Sequence, residues 1–456
     1  MTTASAGAEV AAQVDEPDAA PSIGRPAPIA PGPAALSAPQ SLVRRFLGRF
    51  ALLAFGLYHV PLFLNDYPTF GGGGFRDEGI ARSWGHVFGQ VGLWTARHVF
   101  GLTGPMPQAL EGDNGDTAAE WCRLLVGVVV ALVVAVSWTV ADRRRPRARW
   151  VEGALQVVLR YSIILGLASY GMAKLYPVQF GRLFIGGLEQ RVGELSPFAL
   201  AWRFMEYSRG YSTFAGIMEM AVVVLLTFRR TATLGALICI PVLTNVTVMD
   251  LCYGVPVKLF SGSMVVSAAV IVVFDARRLV NVLVLRRAAA APPPTLPFRS
   301  RRWNQLRWPV KVVIVGGVIV SSAVVMRENL AKFAADEASP VYGTWEVRSF
   351  VAGGRELTQT AEAARWRRVV MTSHVFLVRL EDDTLVFCRS KLDEATHTVE
   401  ATCPRTHHEA SLRWSRAGTE LQLGGTFDHA SVTASLTLRD DSQLPLLRAR
   451  FQWTQD

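Results

Sequence analysis

The chain has 456 residues, of which half are hydrophobic and only 18% are charged, and its formal net charge is +10. Soluble proteins are nearer a quarter charged, so this composition favours a membrane protein with several spans. The positive charge lies in short arginine runs beside apolar segments, which is typical of the cytoplasmic ends of spans rather than of a nucleic-acid surface. We therefore expect the lipid bilayer as a partner and no nucleic acid.

The first segment, 1–41, is rich in alanine and proline and shows no apolar periodicity. Such a segment cannot bury enough apolar surface to offset the entropy lost on ordering, so it is predicted to be a disordered cytoplasmic tail. It has no basic stretch followed directly by an apolar one, so we expect no cleavable signal peptide.

Seven segments are apolar and close to the ~20 residues that a helix needs to cross a bilayer core. Six of them form a membrane domain at 42–287, and the seventh is an added anchor that follows an alanine- and proline-rich cytoplasmic linker at 288–308. The predicted spans cover approximately 46–64, 121–141, 150–176, 212–228, 231–250, 257–274 and 309–326.

Arginine runs predict the orientation of these spans. They precede the first span and occupy the second, fourth and sixth connections, which alternation places on one side of the membrane. The positive-inside rule makes this side the cytoplasm, so the N-terminus is predicted inside and the chain after Met326 outside. The third connection also carries four arginines, three of which are offset by glutamates.

The first outer loop contains four consecutive glycines and then an amphipathic stretch at 80–100. Trp84, Val87, Val91 and Trp94 recur there at helical spacing on one face. This pattern predicts a helix that lies at the membrane surface, the alternative being a helix packed on the bundle.

After a connector at 327–341, the pattern changes to strict alternation of apolar and polar residues, as at 432–438 and 447–453. Period-two alternation is typical of half-buried antiparallel strands. About eight strands are predicted, at 343–350, 367–380, 384–391, 397–402, 410–416, 420–427, 432–438 and 447–453. Short turns join them, so we predict an antiparallel β-barrel or sandwich at 342–456, outside the membrane.

Cys388 and Cys403 flank a predicted hairpin near Ala395. An extracytoplasmic compartment is oxidising and favours a disulfide between them. The alternative is two separate thiols on opposite faces of the sheet.

Ionisable side chains inside the spans are the main candidates for function, because each costs roughly 2.5–3.5 kcal/mol to insert and needs a partner or a cavity. Five ionisable side chains and one amide converge by depth on the outer half of the bundle: His59, Lys174, Glu219, Asp250 and Lys258, with Asn245.

Two interpretations of this polar cluster remain open. In the first, Lys174–Glu219 and Asp250–Lys258 are ion pairs that fix the register of the helices. In the second, the cluster lines a pocket for a small molecule or a quinone-like headgroup. Arg160 lies deeper and has no acidic partner at its depth, so backbone carbonyls or an anionic lipid are its candidate partners.

No catalytic residues are assigned. The eight histidines have no metal-site spacing, so no metal is predicted, and the chain shows neither a Ser/His/Asp signature nor a nucleotide-binding motif. Whether the protein is an enzyme therefore stays open at this point.

A group of short motifs at about 150–279 resembles the core signature of DoxX-like integral membrane proteins. The motifs are Arg160-Tyr161, Tyr170-Gly171-Met172-Ala173-Lys174-Leu175, Gln179, Leu195-Ser196-Pro197, Trp202, Glu206–Ser208, Tyr211, Gly216, Glu219, Asn245 and Val255-Pro256-Val257-Lys258-Leu259. The resemblance implies a small helical bundle in the bacterial cytoplasmic (inner) membrane, with links to quinol oxidation and redox homeostasis, and it adds Gln179 to the polar cluster.

The Tyr-Gly-x-Ala-Lys pattern is also similar to a helix of HTTM and vitamin K-dependent carboxylase-like proteins, in which a lysine acts beside a reduced quinone. The resemblances together imply a quinone as a candidate cofactor and a redox membrane protein as a candidate partner. The first functional expectation is thus a DoxX-like, quinone-linked membrane protein. The second is a non-enzymatic binding or assembly protein that uses its β-domain, and the third is a quinone-dependent, carboxylase-like enzyme.

Overall fold

The computed structural model describes residues 41–66, 79–104, 116–142, 149–180, 185–289, 301–357, 364–404 and 406–448. The predicted disordered tail, apart from residue 41, and the central part of the predicted linker lie outside these residues. The same holds for most of the predicted strand at 447–453.

Ten α-helices occur in the described part of the chain. They are α1 (Leu42–Asp66), α2 (Gly79–His98), α3 (Ala118–Ala141), α4 (Arg149–Leu175), α5 (Ile185–Leu188), α6 (Pro197–Tyr207), α7 (Arg209–Thr227), α8 (Ala232–Tyr253), α9 (Lys258–Leu279) and α10 (Arg301–Glu337).

Six of these helices, α3, α4 and α7 to α10, are long and apolar enough to cross a membrane, as expected of a multi-pass membrane protein. The first predicted span is also helical, but the described part of α1 carries Arg44, Arg45 and Arg49 and is not among the six. A total of seven spans therefore stays a prediction. The predicted seventh span is part of α10, which also includes the end of the predicted linker and most of the predicted connector.

The centre of the bundle is α4, which packs against α1, α7, α9 and α10. Of its apolar stretch, 56% is buried, compared with 11–33% for the other five candidate spans. Leu159, Ile163, Ile164 and Leu167 form its buried face, whereas much of α3 is exposed, as expected of a helix that faces lipid. Any polar side chain on the buried face of α4 must therefore find its partner inside the protein.

The amphipathic stretch of the first outer loop forms α2, which packs against α3. Val87 and Trp94 are exposed on it, whereas Thr95 and Ala96 are buried. The helix thus both contacts the bundle and keeps an apolar face free of it.

In the described residues after α10 there are nine β-strands, and eight of them close into an antiparallel barrel. The strands are β1 (Gly343–Ala352), β2 (Arg355–Glu356), β3 (Trp366–Met371), β4 (Val375–Leu380), β5 (Leu385–Asp393), β6 (Thr398–Thr402), β7 (Glu409–Ala417), β8 (Glu420–Phe427) and β9 (Ala430–Leu438). From β3 to β9 each strand pairs with the next, and β1 pairs with both β3 and β9. The two-residue strand β2 extends only the end of β1. Of the two predicted architectures, the structure has the barrel.

One strand prediction was wrong in detail. The segment predicted as one strand at 367–380 is the hairpin of β3 and β4, with its turn at 372–374. The barrel closes through the pairing of β1 with β9, and Pro445–Arg448 forms a 3-10 turn. The rest of the strand predicted at 447–453 lies outside the described residues.

Large side chains fill the described interior of the barrel. Trp345, Trp366 and Phe376 are buried there, and the rings of Trp366 and Phe376 pack edge to face, 5.8 Å apart. Cys388 on β5 and Cys403 after β6 are both buried and are joined by a disulfide. The interior is therefore a packed core, and binding by this domain would have to use its outer surface.

Candidate functional site: a buried ion pair in the helical bundle

The strongest polar feature of the bundle is an ion pair between Lys174 on α4 and Glu219 on α7. The Lys174 Nζ atom lies 2.9 Å from Oε1 and 3.0 Å from Oε2 of Glu219. The two side chains are only 7% and 3% exposed. The ammonium group also lies 5.4 Å from the ring centre of Tyr170 and 5.9 Å from that of Phe180, which is close enough for cation–π attraction.

Two glycines explain why this pair forms. Gly171 and Gly216 each precede the charged residue by three positions, so they lie on the same helix faces as Lys174 and Glu219. A Cβ atom added at Gly216 would lie 3.0 Å from the carbonyl oxygen of Gly171 and 3.0 Å from Lys174 Cβ. Only glycine lets the two backbones cross this closely, as is common in membrane helix pairs. The close crossing brings the ammonium and the carboxylate together.

The predicted ion pair between Asp250 and Lys258 is wrong. The carboxylate of Asp250 is buried and accepts a hydrogen bond of 2.8 Å from Ser261 Oγ. Lys258 Nζ lies 3.5 Å from Asp116 Oδ2 and donates to the carbonyl of Val255 at 2.9 Å.

The physical reason is that Asp116 occupies the N-terminus of α9. Its carboxylate accepts from the backbone N–H groups of Lys258 at 2.6 Å and Leu259 at 3.0 Å. These first amides of a helix have no partner within it, and the helix dipole favours a negative charge there. Asp116 therefore accepts from the first backbone N–H groups of α9 and also pairs with the Lys258 ammonium, so that Asp250 is bound by Ser261 and not by Lys258.

Three other residues of the predicted cluster lie in different surroundings. His59 is buried, with its Nε2 atom 3.5 Å from Ser267 Oγ on α9 and its ring stacked on Phe55. Asn245 is exposed on α8 and does not line the bundle interior. Gln179 follows α4 and is half-buried, and its side-chain Oε1 is a buried acceptor with no hydrogen-bond donor in the described part of the chain.

Arg160 binds backbone carbonyls rather than an acid. Its Nε atom donates to the carbonyl of Leu226 at 2.9 Å, and its Nη2 atom donates to that of Thr227 at 2.9 Å. Both carbonyls lie in the last turn of α7, where the helix itself provides no donor. Lys311 of α10 also approaches the Thr227 carbonyl, at 3.4 Å. Arg160 is thus a helix cap that joins α4 to α7 and is not part of the outer polar cluster.

Sequence reasoning missed Asp116, Ser261 and Phe180 as partners of the cluster. Ser261 stands three positions after Lys258 on the inner face of α9, a spacing that could have indicated it. Asp116 offered a weaker signal, since Asp116-Thr117 directly precedes an apolar helix and is typical of a cap for that helix rather than for α9. Among the described residues, no group of three or more His, Cys, Asp or Glu side chains could hold a metal ion.

The fold and the site define a multi-pass membrane protein with a glycine-assisted ion pair in its bundle and an antiparallel barrel after α10. A stretch of 132 residues is 30% identical to the uncharacterized protein YwoB of Bacillus subtilis (strain 168). The match covers 29% of this chain and 84% of YwoB, and the chain belongs to the same family as that protein. No protein-family model matches the chain, and neither does any solved structure.

Proposed function

We propose that this is a DoxX-like protein that binds the headgroup of a quinone-like molecule at the Lys174–Glu219 pair. The observation that supports this most is a buried ammonium and carboxylate with two aromatic rings beside the ammonium. A quinone carbonyl can accept a hydrogen bond from the lysine, and a quinol hydroxyl can donate one to the glutamate. The rings of Tyr170 and Phe180 offer flat apolar surfaces to a planar headgroup.

Gln179 adds a second argument for a ligand at this site. Its buried Oε1 acceptor lacks a donor within the described residues, and buried acceptors are rarely left without one. A quinol hydroxyl would supply such a donor five residues along the chain from Lys174.

Co-purification tests this proposal. The protein is extracted in a mild detergent, and the quinone per protein is measured by solvent extraction and chromatography. We expect a bound quinone in the unchanged protein and a loss of at least about tenfold in Lys174→Met and Glu219→Gln, since each removes one side of the pair. Glu152→Gln is the matched control, because this carboxylate pairs with the exposed Arg44 at 2.9 Å.

Two results would contradict the proposal. One is the absence of quinone from the unchanged protein, and the other is an equal loss in Glu152→Gln. Size-exclusion chromatography of each variant shows whether a loss of quinone merely reflects loss of the fold.

The proposed location is the bacterial cytoplasmic membrane, with the N-terminus inside and the barrel outside. The arginine runs support this orientation. The disulfide between Cys388 and Cys403 supports it too, because disulfides persist in oxidising compartments. A reporter fused to the C-terminus and active only in the cytoplasm should stay inactive, and an active reporter would contradict the orientation.

A second candidate function is that of a non-enzymatic binding or assembly protein. The observation that favours it is a set of ion pairs between the barrel and the loop after α5, in which Glu189 meets Arg368 at 3.0 Å and Arg439 at 2.8 Å. Such a fixed barrel could present a surface to a partner above the membrane. A protein that carries no quinone would favour this candidate over the first.

A further inference from the structure

A charged cavity lies between the barrel and the loop that follows α5. Its volume is about 250 Å³. On the loop side it is bordered by Glu189 and Arg191, and on the barrel side by Arg367, Arg368 and Arg379 of β3 and β4 and by Asp383 of the following turn. Four arginines thus face two carboxylates, and the lining carries an excess of positive charge.

Each of the two carboxylates forms ion pairs with two arginines. Asp383 pairs through Oδ2 with Arg191 and through Oδ1 with Arg367. Glu189 pairs through Oε2 with Arg368 and through Oε1 with Arg439, which lies outside the cavity lining. Every carboxylate oxygen is therefore already engaged, while each guanidinium has further N–H donors.

Arg367 shows this shortage of acceptors most clearly, and Arg379 is the most buried arginine of the lining. The side chain of Arg379 is 2% exposed. Its Nη1 atom donates to the Asp383 carbonyl at 2.5 Å and makes a longer contact of 3.5 Å with Glu194 Oε1. The Nε atom of Arg367 is buried and has no acceptor in the part of the chain that the structure describes. Buried donors without acceptors are rare in folded proteins, so this N–H group has a hydrogen bond to give.

Asp383 contributes its full negative charge to the lining at neutral pH. Partial desolvation opposes its charged form, but the hydrogen bond from Arg367 and the charges of Arg367 and Arg191 hold the pKa of this carboxyl below its ordinary value. The carboxylate is thus fully ionised at neutral pH, and the lining is positive even with both acids charged.

We propose that this cavity is an anion site that binds a phosphoryl group between the barrel and the bundle. Guanidinium groups fit phosphate oxygens with paired hydrogen bonds, and Arg367 and Arg379 have donors to give. The group could come from free phosphate or from the headgroup of an acidic phospholipid. The loop continues into α6, on which Phe198 and Phe204 are exposed in the manner of a helix at a membrane surface, so a headgroup is within reach of this region.

The test measures anion binding by the full chain in detergent. Inorganic phosphate is titrated into the protein in a buffer free of sulfate and phosphate, and the heat of binding is measured by calorimetry. In a second arm, the thermal unfolding of the protein is compared in nanodiscs of phosphatidylcholine and of phosphatidylglycerol. Saturable phosphate binding identifies a site open to free phosphate. Stabilisation by phosphatidylglycerol without phosphate binding identifies a lipid headgroup as the source.

Three variants make the result specific. Arg367→Gln should weaken binding at least about tenfold, since it removes the donor that lacks an acceptor. Asp383→Asn should tighten binding several-fold, because it removes the carboxylate that competes with the anion for Arg191 and Arg367. Arg413→Gln, at an exposed arginine on β7, makes the same change of charge away from the cavity and should leave binding within about twofold.

The opposite signs of the first two variants separate an anion site from a structural one, because unfolding cannot tighten binding. The proposal is overturned if the unchanged protein responds neither to phosphate nor to phosphatidylglycerol. It is also overturned if Arg413→Gln weakens binding as much as Arg367→Gln does, or if Asp383→Asn weakens it.

Discussion

The buried ion pair can be measured with a double-mutant cycle of Lys174→Met, Glu219→Gln and both changes together. Methionine keeps most of the length of lysine, and glutamine keeps the shape of glutamate, so each single change removes a charge and little volume. The side chains are 7% and 3% exposed and meet at 2.9 and 3.0 Å. A single change therefore leaves a charge that water cannot reach.

The expected magnitudes follow from this burial. Removing one partner of a buried ion pair costs about 3–5 kcal/mol, whereas replacing both partners by neutral groups is often close to neutral. We expect each single variant to lose about 3 kcal/mol of the free energy of unfolding and the double variant to lose far less than the sum. The coupling energy should then exceed about 2 kcal/mol.

The assay is reversible unfolding in mixed detergent micelles, followed by far-ultraviolet circular dichroism. The matched control is the cycle of Arg44→Met and Glu152→Gln, a pair with the same 2.9 Å contact but side chains that are 63% and 27% exposed. Its coupling should stay below about 1 kcal/mol. If the Lys174 and Glu219 losses add to within about 0.5 kcal/mol, the two charges do not stabilise each other and the reasoning fails.

Two further predictions concern the crossing of the helices and the docking of the barrel. Gly216→Ala should lower the free energy of unfolding in the same micelle assay by about 1–3 kcal/mol, because its Cβ would lie 3.0 Å from two atoms of α4. Gly127→Ala on α3, where a Cβ meets nothing within 4 Å, should be neutral or stabilising, and equal losses would contradict the argument. The prediction for the docking of the barrel concerns two carboxylates, Glu194 and Asp383. The backbone N–H of Arg191 and then the side chain of Arg379 hold the pKa of Glu194 below its ordinary value of 4.5. Against partial desolvation, Arg367 and Arg191 hold the pKa of Asp383 below its ordinary value. These carboxylates contribute stability at pH values above their unfolded pKa and lose it as the pH falls through the lower folded pKa. The thermal midpoint of the barrel, measured by near-ultraviolet circular dichroism, should thus be flat from about pH 8 to 5 and fall below about pH 4, with a shallower fall in Glu194→Gln/Asp383→Asn. A fall between pH 7 and 6 would refute this assignment.

The position of the Lys174–Glu219 pair could be predicted from the sequence because a charge in an apolar helix is a strong signal. Counting turns from the membrane boundary was enough to place two such charges at one depth. The depth of a residue in the membrane does not tell which face of its helix it occupies, however. Asn245 lies at a suitable depth but on an exposed face of α8, and the sequence has no pattern that separates the two faces of a helix that is apolar all round.

The Asp250–Lys258 pair failed for a different reason. The two residues are eight positions apart across one turn, so a local pair was the natural prediction. The true partner of Lys258, Asp116, lies 142 positions away along the chain. A competitor that arrives from a remote loop through tertiary packing leaves no trace in the local sequence.

The strand prediction at 367–380 failed because its turn lacks glycine and proline. Thr372 makes the turn instead, with its side-chain oxygen accepting from the backbone N–H groups of His374 at 3.2 Å and Val375 at 3.1 Å. Asp336 at the end of α10 accepts from the N–H of Ser373 at 2.5 Å. A turn made by threonine and held by another element gives a weaker sequence signal than a glycine turn. Because apolar and polar residues alternate on both sides of it, the segment resembles one continuous strand.

The closure of the barrel by its first and last strands sets an order of events during synthesis. Trp345 on β1 pairs with Leu438 on β9, so the two edges that must meet are separated by almost the whole domain. Contacts so distant along a chain form slowly, because the loop between them must lose its entropy first. Until β9 has been synthesised, the edge of β1 that β9 covers is unpaired, and an unpaired strand edge can pair with another chain.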